Sequence, residues 1–146
     1  MKKWNTRKSA AENARRRLPE MARAYFQEGS SLSAETTPNA QMHEFRLSTK
    51  AFRYTLELFL PVYGPALKNK LEEIKKVQQI LGALQDCETV LAARPRDAKL
   101  TAYAEERMRA KRDQFFEYWT MHFASPANQA KWNGYLSRPV KKTGKD

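Results

Sequence analysis

The chain has 146 residues, 41% of them hydrophobic, which supports one domain with a buried core, is too short for two domains and excludes wholesale disorder. Lysine and arginine outnumber the acidic residues by 27 to 16, and the formal net charge is +11. A chain this basic is expected to bind a polyanion, such as nucleic acid, an anionic membrane surface or polyphosphate.

The apolar residues repeat at helical spacing in four segments, and no alternating strand pattern is present. The first of these helices is expected to end at Gly29. The second should begin at the capping pair Thr37-Pro38, and Asp97 can cap the fourth. The four predicted helices cover residues 9–28, 38–60, 65–92 and 97–123. Since the links between them are short, the sequence predicts an all-α, four-helix bundle.

The predicted bundle occupies residues 9–123, and the two ends of the chain lie outside it. A basic N-terminal arm at 1–8 precedes the bundle, and a short helix with a basic tail follows it at 124–146. No stretch approaches the roughly 18–20 apolar residues of a membrane-spanning helix. No signal peptide is visible either, so we expect a cytoplasmic protein.

The second helix carries a row of basic side chains, which we call the basic stripe: His43, Arg46, Lys50 and Arg53. Their spacings of three, four and three place them within an arc of roughly 80° on the helix. Like charges in adjacent turns repel each other, so this alignment indicates an anionic ligand. The alternative is that they are ordinary solvated side chains. Two apolar arcs flank the stripe, one with Phe45, Phe52, Leu56 and Phe59, the other with Leu47, Tyr54 and Leu58.

The stripe resembles the motif that names the CHAD family, the α-helical domain with conserved histidines. The matching residues are His43-x-x-Arg46-x-x-x-Lys50-x-x-Arg53-Tyr54-x-x-Glu57-x-Phe59. A second segment resembles the family's Leu-Lys-x-Leu-Gln-x-x-Leu-Gly-x-x-x-Asp helix, and it reads Ile74-Lys75-Lys76-Val77-Gln78-x-x-Leu81-Gly82-x-x-x-Asp86. The resemblance covers about residues 14–120 and is specific in 43–59 and 74–86.

CHAD domains are usually about twice as long as this chain, with two four-helix bundles related by a pseudo-twofold axis. The resemblance therefore implies that this chain is one such half, a single bundle. It also implies binding of inorganic polyphosphate in a basic channel, without hydrolysis, and targeting to polyphosphate granules. A homodimer would rebuild the missing half.

The polyphosphate-binding residues implied by the resemblance combine the stripe with basic residues of the first and third helices. Arginine can hold two phosphate oxygens at once, and lysine adds a point charge. Convergence of these helices is implied by the resemblance and not by periodicity. The expected set is Arg16, Arg17, Arg23, His43, Arg46, Lys50, Arg53 and Lys75.

The sequence contains none of the motifs that mark common enzymes, neither a P-loop nor Gly-x-Gly-x-x-Gly, His-Glu-x-x-His or Gly-x-Ser-x-Gly. With two histidines far apart and the single Cys87, a metal site has little support. We therefore expect no catalysis, no cofactor and no metal.

Two other functions stay open from the sequence. The main alternative is a helical protein that binds RNA or DNA non-specifically through the phosphates. No helix-turn-helix, RNP or KH signature supports specific reading of bases. The second is a structural adaptor that tethers other proteins to polyphosphate granules.

Overall fold

A computed structural model describes residues 3–140, and this part of the chain contains no β-strand. A π-helical segment, Trp119–Phe123, directly follows the fifth α-helix. The α-helices are α1 (Ala10–Ser30), α2 (Asn39–Leu58), α3 (Leu60–Tyr63), α4 (Leu67–Ala92), α5 (Ala98–Tyr118) and α6 (Pro126–Leu136). The predicted all-α bundle is confirmed, with α1, α2, α4 and α5 as its four long helices.

Two of the predicted helix ends are wrong, because packing and a loop hydrogen bond take precedence over the local signal. Gly29 does not end α1; it is a buried residue of the helix. A Cβ added to Gly29 would lie 2.1 Å from Cζ2 of Trp119, so glycine is needed there for close packing. Thr37 does not cap α2, since its hydroxyl accepts a hydrogen bond from the Ser33 N–H at 2.6 Å and Pro38 holds the N-cap position.

The predicted cap of α5 is confirmed. The Asp97 side chain accepts hydrogen bonds from the backbone N–H groups of Lys99 and Leu100, at 2.9 and 3.3 Å. The helix does not continue to residue 123 in α-helical form, because its last turn widens into the π-helical segment. That segment places Trp119 and Phe123 in the core, where both are buried.

The core is an aromatic cluster enclosed by the long helices. The Tyr25 ring stacks on Phe45 with centroids 4.9 Å apart, and Trp119 meets Phe45 edge-on at 5.2 Å. The Tyr25 hydroxyl lies 2.7 Å from the Thr49 hydroxyl, so both buried polar groups are hydrogen-bonded. Since Phe45 and Thr49 belong to α2, the core face of that helix is fixed and its other faces are available for neighbours and ligands.

Helix α2 lies against α1 on one side and against α4 on another. It runs antiparallel to α4, because Asn39 contacts Glu88 while Arg46 lies beside Gly82. No helix of residues 3–140 is long and apolar enough to cross a membrane.

The ends of the described chain pack on the bundle. In the N-terminal arm, the Trp4 ring stacks on Phe59 with centroids 5.5 Å apart, and the Arg17 guanidinium carbon lies 4.5 Å from the Trp4 ring centroid. At the opposite end, the Val140 N–H donates to the Val62 carbonyl at 2.8 Å. The rest of the predicted basic tail, residues 141–146, lies outside the described residues.

Candidate polyanion-binding surface

The basic stripe lies along the edge of α2 that borders α4. The core face of α2 consists of Met42, Phe45, Thr49, Phe52 and Leu56. The stripe residues adjoin this face, and all four are half-buried. Such side chains pack their aliphatic stems against apolar neighbours while the charged ends reach the surface. The stripe is therefore held against the bundle and is not a set of freely solvated side chains.

His43 sits at the end of the stripe nearest the start of α2. It borders a cavity of about 10 Å³ that is also lined by Leu81, Leu84 and Gln85 of α4. Its Nδ1 atom is buried and has no hydrogen-bond partner among residues 3–140. Packing against α4 therefore fixes the position of the ring at the helix interface.

Arg46 lies over Gly82, one helical turn further along the stripe. A Cβ added to Gly82 would have one neighbour within 4 Å outside its own helix, the Arg46 Nε at 4.0 Å. That Nε is buried and has no hydrogen-bond partner in the described part of the chain. Gly82, which has no side chain, thus lies at ordinary contact distance from the guanidinium.

The next two cations differ in how far acidic residues neutralise them. Lys50 forms no ion pair with any described residue. The Arg53 Nε lies 3.7 Å from a Glu57 carboxylate oxygen, within ion-pair range, but it makes no hydrogen bond. Its guanidinium carbon also lies 4.8 Å from the centroid of the Tyr54 ring. An ion pair this long at a surface holds the arginine only weakly, so an incoming anion can displace Glu57.

Lys75 joins the stripe from α4. The antiparallel register that sets Arg46 beside Gly82 brings Lys75, seven residues before Gly82, to the level of Arg53. The Lys75 ammonium lies 3.4 Å from a carboxylate oxygen of Glu72, whose side chain is 71% exposed. The structure therefore places five of the eight predicted residues along one α2–α4 seam.

The three predicted arginines of α1 have partners elsewhere. The structure directs Arg16 to the Lys3 carbonyl at 3.4 Å, Arg17 to the Trp4 ring, and Arg23 to the Asn133 side chain at 3.0 Å. Helix α1 packs on α2 through Ser48 and Phe52, which lie roughly opposite the stripe. The structure does not bring these arginines to the stripe, and their part in binding stays a prediction.

Arg112 of α5 holds the start of α2 in place through hydrogen bonds, and its role was not identified from the sequence. Its guanidinium donates to Asn39 Oδ1 at 3.2 Å, to the Ala34 carbonyl at 3.1 Å and to the Thr37 carbonyl. Asn39 in turn donates to Glu88 of α4 at 2.8 Å. These bonds tie the α1–α2 loop and the start of α2 to α4 and α5, one turn from His43. No local sequence signal identifies contacts between residues more than 70 positions apart.

No group of three His, Cys, Asp or Glu side chains among residues 3–140 is placed to hold a metal ion. Three carboxylates accompany the cations of the seam: Glu57 and Glu72 at its rim, and Glu88, which lines the same cavity as His43. The chemistry available at the seam is therefore that of hydrogen-bond donors and positive charge, which suits oxyanions.

Comparison with known proteins gives one match. The family model of the CHAD domain matches residues 1–95, more than half of the chain, from the N-terminal arm through α4. The matched region contains both motif segments and the whole α2–α4 seam. No curated protein and no solved structure matches the chain. The resemblance noted from the motifs is thus confirmed, and the chain belongs to the CHAD domain family.

Proposed function

We propose that this protein binds inorganic polyphosphate, without hydrolysing it, along the α2–α4 seam formed by the basic stripe and Lys75. The observation that carries the proposal is the row of half-buried cations in which Arg46 and Lys50 have no acidic partner among the described residues. Aligned, uncompensated charges destabilise a helix, and a bound polyanion relieves that repulsion.

The dimensions of the seam suit a linear phosphate chain. From His43 to Arg53 the helix rises roughly 15 Å, at about 1.5 Å per residue. Cationic side chains recur along this length at every helical turn, and Gly82 adds no side chain beside Arg46. Linear polyphosphate has about one charge per phosphate unit and presents no bases, so a regular row of donors is sufficient to hold it.

Non-specific binding of RNA or DNA is the second candidate, and exposed Tyr54 is the observation that favours it. This ring borders the stripe and is 48% exposed, so it can stack on a base. However, the Arg53 guanidinium lies over one face of the ring. A competition experiment separates the two ligands: we expect short-chain polyphosphate to displace single-stranded RNA at low molar excess, and the reverse result would favour nucleic acid.

The proposed seam is tested by comparing two double variants with equal loss of charge. Arg46→Ala with Arg53→Ala removes two cations from the seam. Lys99→Ala with Arg109→Ala removes two exposed cations from α5. We expect the first pair to lose roughly 1.5–3 kcal/mol of binding free energy for each charged hydrogen bond removed, and the control to lose little.

The measurement is polyphosphate affinity at two salt concentrations, with circular dichroism to verify folding. Diffuse attraction by the whole basic surface would weaken both variants equally and change their salt dependence by the same amount. Equal losses would therefore contradict a specific seam.

We further propose that a second copy of the chain completes the binding channel. Helix α2 has an exposed apolar row, which we call the α2 ridge: Leu47, Ala51, Tyr54 and Leu58. The residues are spaced by four, three and four positions, which is the spacing of a helix-pairing surface. Leu47 and Leu58 are 43% and 78% exposed. The ridge adjoins the stripe, so a twofold contact there would bring two stripes together.

The proposed ligand also predicts where the protein is located in the cell. A protein that binds polyphosphate without consuming it is expected in the cytoplasm, at polyphosphate granules. A fluorescent fusion should coincide with stained granules, and the Arg46→Ala, Arg53→Ala variant should become diffuse. An unchanged distribution of that variant would contradict targeting through the seam.

A further inference from the structure

A second cationic surface lies between α4 and α6, on a different side of α4 from the seam. We call it the α4–α6 groove, and its cations are Lys70, Lys76, Lys131 and Arg138. It consists of two adjoining depressions of about 430 and 590 Å³ that share Lys131. Lys75 of the seam and Lys76 of the groove are consecutive residues, so their side chains leave α4 about 100° apart.

The groove has more positive charge than its acidic residues neutralise. Lys76, Lys131 and Arg138 form no ion pair with any described residue. The carboxylate among its lining residues is that of Glu73, which accepts hydrogen bonds from Asn128 at 2.8 Å and from Trp132 at 3.1 Å. Its other oxygen lies 3.9 Å from the Lys70 ammonium. Glu73 thus joins α4 to α6 and leaves three cations uncompensated.

Neighbouring residues position three of the four cations of the groove, namely Lys70, Lys76 and Arg138. The Lys70 ammonium lies 5.5 Å from the ring centroid of buried Trp132, and the Lys76 ammonium lies 5.7 Å from that of Tyr118. A Cβ added to Gly134 would come within 3.1 Å of Arg138 Nη2, so glycine lets this guanidinium fold back along α6. Positioned donors bind an anion with less loss of conformational entropy than freely moving ones.

The same contacts indicate which kind of anion fits. Nucleic-acid sites on flexible single strands rely on free aromatic faces on which bases stack. Here the faces of Trp132 and Tyr118 are taken by lysine ammonium groups, and Trp132 is fully buried. The groove therefore offers cations for oxyanions, and neither Trp132 nor Tyr118 offers a free face for a base.

We propose that the α4–α6 groove is a second binding site for a linear phosphate chain, with Lys70, Lys76, Lys131 and Arg138 as its donors. The proposal takes its ligand from the proposed function, but the residues are separate from those of the seam. A long polyphosphate molecule that occupies both sites binds more tightly than one that occupies a single site, because its second contact becomes intramolecular. Short chains occupy the two sites independently.

The test adds tripolyphosphate, a short phosphate chain, to the 146-residue protein. Calorimetry of the wild type should resolve two separate binding events, and amide shifts in nuclear magnetic resonance spectra should appear in both α2 and α6. Lys131→Ala with Arg138→Ala should abolish the α6 shifts and weaken that site about tenfold or more. Lys99→Ala with Arg109→Ala, the matched control, should retain both sites. Lys131→Gln alone serves if the double variant does not fold.

The outcomes for the groove and for the seam can be told apart. If the groove variant binds like the control while Arg46→Ala with Arg53→Ala abolishes all binding, the second site is wrong and the proposed function stands. If the seam variant keeps full binding and the groove variant loses it, the seam is wrong and the groove stands. If a single-stranded oligonucleotide binds the groove more tightly than polyphosphate of equal length, the ligand assignment is wrong.

Discussion

At the scale of single residues, two helical glycines have opposite roles. Gly29 is in contact with Trp119, and a Cβ there would overlap the indole ring, which is buried and cannot move without disturbing the core. At Gly82 the nearest atom outside its helix, Arg46 Nε, would be 4.0 Å from the Cβ, an ordinary contact. Space is thus essential at the first position and optional at the second.

We expect Gly29→Ala to destabilise the protein by about 1–3 kcal/mol or more, because overpacking displaces Trp119. Gly82→Ala should instead stabilise it by up to about 1 kcal/mol, since alanine is the better helix former. Urea unfolding of both variants checks the pair. If Gly29→Ala raised the free energy of unfolding, the close packing at Gly29 would be contradicted. If Gly82→Ala lowered it by about 1–3 kcal/mol, the absence of crowding at Gly82 would be contradicted.

The buried Tyr25 is expected to make the free energy of unfolding fall at alkaline pH. Burial raises the pKa of Tyr25 well above its usual value of 10.0, although the hydrogen bond to Thr49 partly opposes this. Because the folded state keeps the proton more tightly than the unfolded chain, this contribution is fully present below pH 10 and is lost as the pH rises above it. The free energy of unfolding should fall by up to about 1.4 kcal/mol per pH unit in that range.

Tyr25→Phe should reduce that alkaline slope, and unfolding curves at several pH values between 9 and 11 measure it. The Thr49 hydroxyl keeps its bond to the Phe45 carbonyl at 2.9 Å, so no buried group loses its last partner. Tyr103→Phe, at a position 61% exposed, is the control. A Tyr25→Phe slope equal to that of the wild type would show that another group dominates.

At the scale of elements, Arg112 joins α5 to the α1–α2 loop and to the start of α2. Its guanidinium donates in several directions at once, which a lysine ammonium cannot reproduce. We expect Arg112→Lys to lower the free energy of unfolding by about 1.5–3 kcal/mol, the range for hydrogen bonds to charged groups. Arg109→Lys, exposed on the same helix, should change stability little. Similar denaturation midpoints for both variants would show that the contacts of Arg112 add little.

A feature of the helices or of the seam could be predicted when it depends on residues close together in the sequence. It could not be predicted when it depends on tertiary or loop contacts. The long helices and the alignment of the stripe follow from helical periodicity, which is local, and both were predictable. The roles of Gly29 and Thr37 were not, because Trp119 and Ser33 reach them through tertiary and loop contacts. For the same reason neither the Arg112 bonds nor the directions of the α1 arginines could be deduced from spacing.

At the scale of the whole molecule, the charge of +11 must be reconciled with the proposed twofold contact. Two copies paired through the α2 ridge would bring their stripes together, and like charges would oppose association. A polyphosphate chain between the stripes neutralises both. We therefore expect a monomer without ligand and a dimer with it.

Sedimentation velocity with and without short-chain polyphosphate measures this dependence, and ridge variants locate the contact. Leu47→Glu with Leu58→Glu places charges in the apolar row and should keep the protein monomeric in both conditions. Leu100→Glu with Tyr103→Glu makes the same change of charge on exposed α5 positions, so it should still dimerise. If the wild type stays monomeric with polyphosphate, the second copy is not needed. If the ridge variant dimerises as readily as the α5 variant, the two copies meet through another face.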